Sequence, residues 1–200
     1  MLKRLRQRAG SEAGYTLPEL LVTMIILSIV LAGITGLFSS GLRAETDVAF
    51  RAQSQNEARN ALSYLRQETH CASGATVGTG TSPVIQTLTL NLPVGCFRSA
   101  AETAGTDSVW CTVLVATNRY ALYRQGNSAS CGASGAGVTG KLFADYITNG
   151  TTAFAYTAPV VGSSLGVLRV DFTVDSNSQL TSPNAYHLVD DIVLRNTKRT

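Results

Sequence analysis

Residues 19–38 read ELLVTMIILSIVLAGITGLF, and after Glu19 nineteen residues pass without a charge. As a helix, Leu20 to Phe38 rises about 28 Å, close to the ~30 Å hydrocarbon thickness of a bilayer. Lys3, Arg4, Arg6 and Arg8 precede the run and Arg43 follows it. The larger basic cluster stays on the cytoplasmic side, so the residues beyond Arg43 are expected to be exported. A removable secretory signal has a shorter apolar core with a small-x-small cleavage site behind it. Here the run is followed by Ser39-Ser40-Gly41-Leu42-Arg43-Ala44, with leucine where a small residue is required. A conventional signal peptide and a plain anchor both leave Glu19 unexplained. A carboxylate costs about 2.5–3.5 kcal/mol at the centre of a membrane helix, less near its end, and in such a segment marks function by default.

The chain has 200 residues, 44% of them apolar and 14% charged. That allows one domain with its own core plus one additional element. The formal charge of +3 arises wholly in the first fourteen residues, where four basic side chains meet only Glu12. Beyond them, 12 basic and 12 acidic residues cancel. The basic excess therefore serves orientation, and charge does not indicate a nucleic-acid partner.

From Arg43 to His70 there is no proline or glycine, and the pattern continues as helix. Val48, Ala52, Ala58, Ala61, Leu62 and Leu65 form one apolar stripe at three- and four-residue steps. Arg66 and His70 suit the negative end of the helix dipole, and Cys71-Ala72-Ser73-Gly74 ends the element. Gly33, Gly36 and Gly41 weaken the apolar half, by up to about 1 kcal/mol each. Local bending there on assembly and ordinary close packing between membrane helices are both open.

After Gly74 short β runs alternate with turn residues. Residues 87–92, 109–117, 120–124, 153–157, 166–174 and 187–195 are predicted strands, with a hairpin turn over Thr117-Asn118-Arg119. Gly74–Pro83 and Gly126–Gly140 are expected loops. An antiparallel sheet should pack on the amphipathic half-helix, an α+β arrangement. The four cysteines, Cys71, Cys96, Cys111 and Cys131, form no CxxC and suit no zinc site. In a chain that crosses a membrane, an even number favours two disulfides over free thiols. Four cysteines allow three pairings. The expectation carried forward joins chain neighbours, Cys71 to Cys96 and Cys111 to Cys131. Trp110, next to Cys111, is expected to pack over a disulfide in the core.

Catalytic signatures are missing: there is no G-x-S-x-G, Walker loop, G-x-G-x-x-G or H-E-x-x-H. His70 and His187 read as surface or capping residues. The Asp190-Asp191 pair and the set Asp171, Asp175 and Asn177 lack calcium-loop spacing. No enzyme, cofactor or metal is expected.

The segment Ala13-Gly14-Tyr15-Thr16-Leu17-Pro18-Glu19-Leu20-Leu21-Val22 resembles the cleavage and methylation signal of type IV pilins and pseudopilins. The stretch Arg51–Arg66 resembles the post-membrane helix of minor pilins and J-type pseudopilins. The resemblance implies a lollipop plan: residues 1–14 a leader, 15–42 a membrane and filament-core helix, 43–71 an amphipathic half-helix, and 72–200 an exported β-rich domain. It implies cleavage by a prepilin peptidase between Gly14 and Tyr15, then N-methylation of Tyr15. Glu19, fifth in the trimmed chain, would pair with the N-terminal amine of a neighbouring subunit. Tyr15 stands where the family usually has phenylalanine, and Pro18 where it usually has an aliphatic residue. The implied partners are other pilin or pseudopilin subunits, the peptidase, the membrane and its assembly platform. The implied location is the bacterial inner membrane, single-pass with the C-terminal domain outside, and then a filament. A pilin-like binding subunit for adhesion or DNA uptake is the alternative.

Overall fold

A computed structural model describes residues 14–93, 96, 107–126, 131, 133–134, 137–138, 140–175 and 185–197. The basic leader residues Lys3, Arg4, Arg6 and Arg8, together with Glu12, lie outside this range, as does Asn177. The chain divides into two compact units, Met1–Asp47 and Val48–Thr200. Helix α1, Leu17–Cys71, runs through the division. Its glycines do not interrupt it: Gly33, Gly36 and Gly41 are all helical.

In the first unit α1 has no covered face. From Leu20 to Phe38 its large apolar side chains are about half exposed or more. The hydroxyls of Thr23, Ser28 and Thr35 fold back onto carbonyls of the preceding turn, Leu20, Met24 and Leu31. Each polar side chain in the run is thus satisfied by its own helix, as a segment in hydrocarbon requires.

In the second unit the helix becomes one-sided. Ser54, Ala58, Ala61, Leu62, Leu65, Glu68 and Thr69 are buried at helical spacing. The expected stripe begins later than the sequence pattern: Val48 is 65% exposed and Ala52 is also exposed. Both precede the part of α1 that the sheet covers, so their periodicity has no apolar partner within the chain.

Ten strands follow. They are β1 (Gly74–Thr79), β2 (Val84–Asn91), β3 (Ser108–Ala116), β4 (Arg119–Gly126), β5 (Ala133–Ser134), β6 (Gly137–Val138), β7 (Lys141–Ile147), β8 (Phe154–Thr157), β9 (Val167–Val174) and β10 (Tyr186–Val193). All pairings are antiparallel, in the order β1-β2-β3-β4-β7-β9-β10, with β8 also on β9 and β5-β6 a separate ribbon. The α+β class follows the sequence pattern. Four strands do not. β1 falls in the expected loop over Gly74–Pro83: its two glycines and small residues give little strand signal, and pairing along β2 makes it a strand. β5 and β6 form a two-residue ribbon inside the expected loop Gly126–Gly140. β7 lies in an unassigned stretch, directly after that region.

The main core lies between α1 and the sheet. Ala58 and Ala61 allow close approach, and Leu88, Leu90, Trp110, Leu122, Leu168, Val170 and Phe172 fill the opposite side. β3 is buried without interruption from Ser108 to Val113 because it is covered on both faces. Trp110 points toward α1, with the Phe143 ring at 4.8 Å. Cys111 points to the other face, into a smaller cluster of Val84, Val109, Val113 and Cys131. The expected packing of Trp110 over the disulfide is therefore corrected: successive strand residues face opposite sides.

One polar node sits inside the apolar layer. The Glu68 carboxylate, 3% exposed, accepts hydrogen bonds from Ser108 Oγ (2.7 Å), Trp110 Nε1 (2.8 Å) and Arg124 Nε (2.8 Å). Arg124 is itself 8% exposed. The node ties the last turns of α1 to β3 and β4. At the opposite end of β4, Arg119 is held by both oxygens of Asp145, which raises its pKa, and its guanidinium lies 3.9 Å from the Tyr146 ring centroid. Tyr146 adopts φ +62°, which is strained for a bulky side chain. The Asp145 carboxylate also accepts the Tyr146 N–H, fixing that kink where β7 hands over to β9.

Cys71 is joined to Cys96, Cα–Cα 5.7 Å, and Cys111 to Cys131, 6.4 Å. The first holds the end of α1 to the chain after β2, and the second holds β3 to the chain after β4.

Two measurements test this core. Glu68→Ala strands three buried donors and should cost about 3–5 kcal/mol, read as a lower urea midpoint for the detergent-solubilised protein. Replacing Cys71 and Cys96 by serine should cost about 3 kcal/mol in the same assay, as expected for a loop of this length.

Candidate functional site

The sequence placed the site at the start of α1. Thr16 is the N-cap: its carbonyl accepts the N–H groups of Glu19 (3.0 Å) and Leu20 (3.2 Å). Pro18 falls within the first turn, where its missing N–H would have no intrahelical partner. Glu19 is the acidic residue of that turn, where the helix dipole favours negative charge. The spacing Thr16-x-x-Glu19 also matches a capping box, a signal the sequence reading passed over. Gly14, Tyr15 and Glu19 are all exposed, Tyr15 at 76%. Among the described residues, no heavy atom beyond its chain neighbours lies within 4 Å of where a Cβ on Gly14 would stand.

The chemical capacity of this arrangement is limited and specific. A carboxylate stands at the start of an apolar helix whose side chains from Leu20 to Phe38 are left exposed among the described residues. It offers a fixed acceptor to a cation arriving from outside the chain, and the helix beside it offers only dispersion and burial.

The remaining singled-out residues are held by structural contacts. His70 Nδ1 donates to Val193 O at 3.0 Å. His187 is exposed and meets Thr173 Oγ1 at 3.1 Å. Asp190 accepts two hydrogen bonds from Arg66, and Asp191 faces Arg169 across the β9–β10 ladder. Asp171 meets Asn149, whose carboxamide also accepts the Thr173 N–H. The sequence reading missed Glu68. Its only signal was a carboxylate on the apolar stripe three residues after Leu65, and its partners come from strands forty and more residues away.

An arginine in mid-span tests the uncovered helix directly. Ile29→Arg should shift insertion by about 2.5–3.5 kcal/mol. Carbonate extraction of cell membranes should then find the variant moved toward the soluble fraction.

No curated protein and no solved structure matches the chain. Residues 10–35 match the family model described as the prokaryotic N-terminal methylation motif, so the chain carries a type IV pilin-like prepilin signal that supports processing by a prepilin peptidase.

Proposed function

We propose that this chain is a minor pilin or pseudopilin, a structural subunit of a type IV pilus-like filament. Residues 1–14 are the leader, removed between Gly14 and Tyr15, after which Tyr15 is N-methylated. Residues 15–42 enter first the inner membrane and then the filament core. Residues 43–71 carry the exported domain, 72–200. The observation that carries this reading is the fully uncovered apolar helix with Glu19 in its first turn, inside the matched motif.

The mechanism rests on burial. Cleavage frees an α-amine at Tyr15, which keeps its charge after methylation. When helices of several subunits bundle, Glu19 and this amine leave water together. A lone buried carboxylate is costly, whereas one paired with a neighbour's amine is not. Subunits that dock out of register leave both charges unpaired, so the pair selects register more than it adds net stability. Membrane extraction and filament entry then exchange one apolar surrounding for another, with the assembly platform and other pilin subunits as partners.

A pilin-like recognition subunit is the second reading. Its support is placement: Gly126 and Lys141, which flank the Gly/Ser/Thr-rich stretch Gly126–Gly140, lie with Ser108 at one end of the sheet. Shortening that stretch should abolish binding and spare filament entry under this reading only.

Intact mass and N-terminal sequencing of the protein from its native membrane should show a chain starting at Tyr15 with one added methyl. A chain starting at Met1 would sink the prepilin assignment. Glu19→Ala should stay in the membrane and enter filaments at least about tenfold less, since each 1.4 kcal/mol is a factor of ten. Normal incorporation of that variant would remove the register argument.

A further inference from the structure

Exposed strand edges are templates for pairing with other chains, and proteins generally block them. This sheet blocks one such edge with a side chain. Along β8, the Gln86 carboxamide pairs with both backbone groups of Phe154, Nε2 to O at 2.7 Å and N to Oε1 at 3.0 Å.

The edge at β10 is different. Leu194 N–H donates to Gly166 O, so the even-numbered residues of β10 direct their backbone groups to β9. The odd-numbered residues, His187, Val189, Asp191 and Val193, direct theirs outward. His70 takes the Val193 carbonyl. Among the described residues, nothing meets the backbone of His187, Val189 or Asp191. Their side chains are exposed, on the face opposite Tyr186 and Asp190, which meet Arg59 and Arg66 of α1.

We propose that this edge pairs with the same edge of a second copy of the chain, antiparallel and two-fold symmetric about Val189. In that register Val189 meets Val189 of the other copy. His187 meets Asp191, and Asp191 meets His187. Each of these is a hydrogen-bonded pair that exchanges both backbone bonds. An imidazole N–H of His187 can donate to the Asp191 carboxylate of the other copy, and the reverse, so the edge is self-complementary in donors and acceptors, as an isologous contact requires. It also prolongs ladders already present, Arg169 to Asp191 and Thr173 to His187.

The geometry further sets how the two Val48–Thr200 units lie in the pair. Arg59, Arg66 and His70 reach Tyr186, Asp190 and Val193 in the same order, so β10 and the 48–71 part of α1 run in one direction. An antiparallel β10 pair therefore sets the two 48–71 helices antiparallel. The contact is short, well below the ~1,200 Å² of a stable isolated interface, and gains strength where many copies are arrayed. This inference stands apart from leader processing and from the role of Glu19.

The test uses the full-length chain in detergent, prepared with two different tags and mixed under mild oxidation. All four native cysteines are bonded, so Val189→Cys adds the one reactive thiol. Its Cα atoms would lie about 5.5 Å apart in the pair, within disulfide reach. Val193→Cys is the control on the same face, its copies about 26 Å apart in this register. The expected result is cross-linking between tags about tenfold greater at residue 189 than at 193, and its loss on Asp191→Lys. Adding His187→Asp to Asp191→Lys should restore it, because an acidic side chain then faces a basic one. Equal cross-linking at both positions would overturn the register. Absence of cross-linking at 189 would overturn the proposal outright.

Discussion

A single helix has to satisfy two surroundings, and everything else in the molecule is arranged around that demand. Up to Phe38, α1 is apolar on all sides and finds no partner within the chain. From Ser54 it offers one buried stripe and leaves the rest to water. Its own polar side chains mark the change. Before it, hydroxyls bond back to the helix. After it, arginines reach outward to the sheet. Arg59 and Arg66 bind Tyr186 and Asp190, and Asn196 accepts the task of capping by donating to Cys71 O.

Where the helix meets the sheet, fit is set by small residues and orientation by polar ones. Ala58 and Ala61 impose no unique angle by themselves. The Glu68 carboxylate does, because it must meet donors from two strands at once. A buried charge satisfied by three directed hydrogen bonds tolerates little rotation or sliding. Such a node adds less net stability than its count of bonds implies, since desolvation offsets much of the gain. Its larger effect here is to exclude helix positions one residue up or down.

The sheet shows the same division between general and directed forces. Alternation of leucines in β2 and valines in β9 builds the core, while single polar groups decide where ladders stop. Gln86 imitates a missing strand for Phe154, and His70 ends the exposed side of β10 at Val193. That edge selection leaves a short run of open backbone on β10, with His187 and Asp191 at its two ends.

Much of this was legible in the sequence. The uncharged span, the cationic residues before it and Glu19 at its entrance are local features, readable because membrane insertion acts on composition and helix geometry alone. Strands β2, β3, β4, β8, β9 and β10 were also visible, since a half-buried strand writes a period of two. Other features were not. β1 has too little side chain to signal a strand and exists because β2 offers it a ladder. The stripe on α1 begins at Ser54, not Val48, because the extent of the sheet, not the periodicity of the helix, decides what is covered. Glu68 looked like any charged residue on a helix, and only the folded sheet brings Ser108, Trp110 and Arg124 to it. Local pattern thus determined the elements and the membrane stem, and tertiary structure alone decided which edges, charges and helix residues found partners, because those partners are distant in the chain.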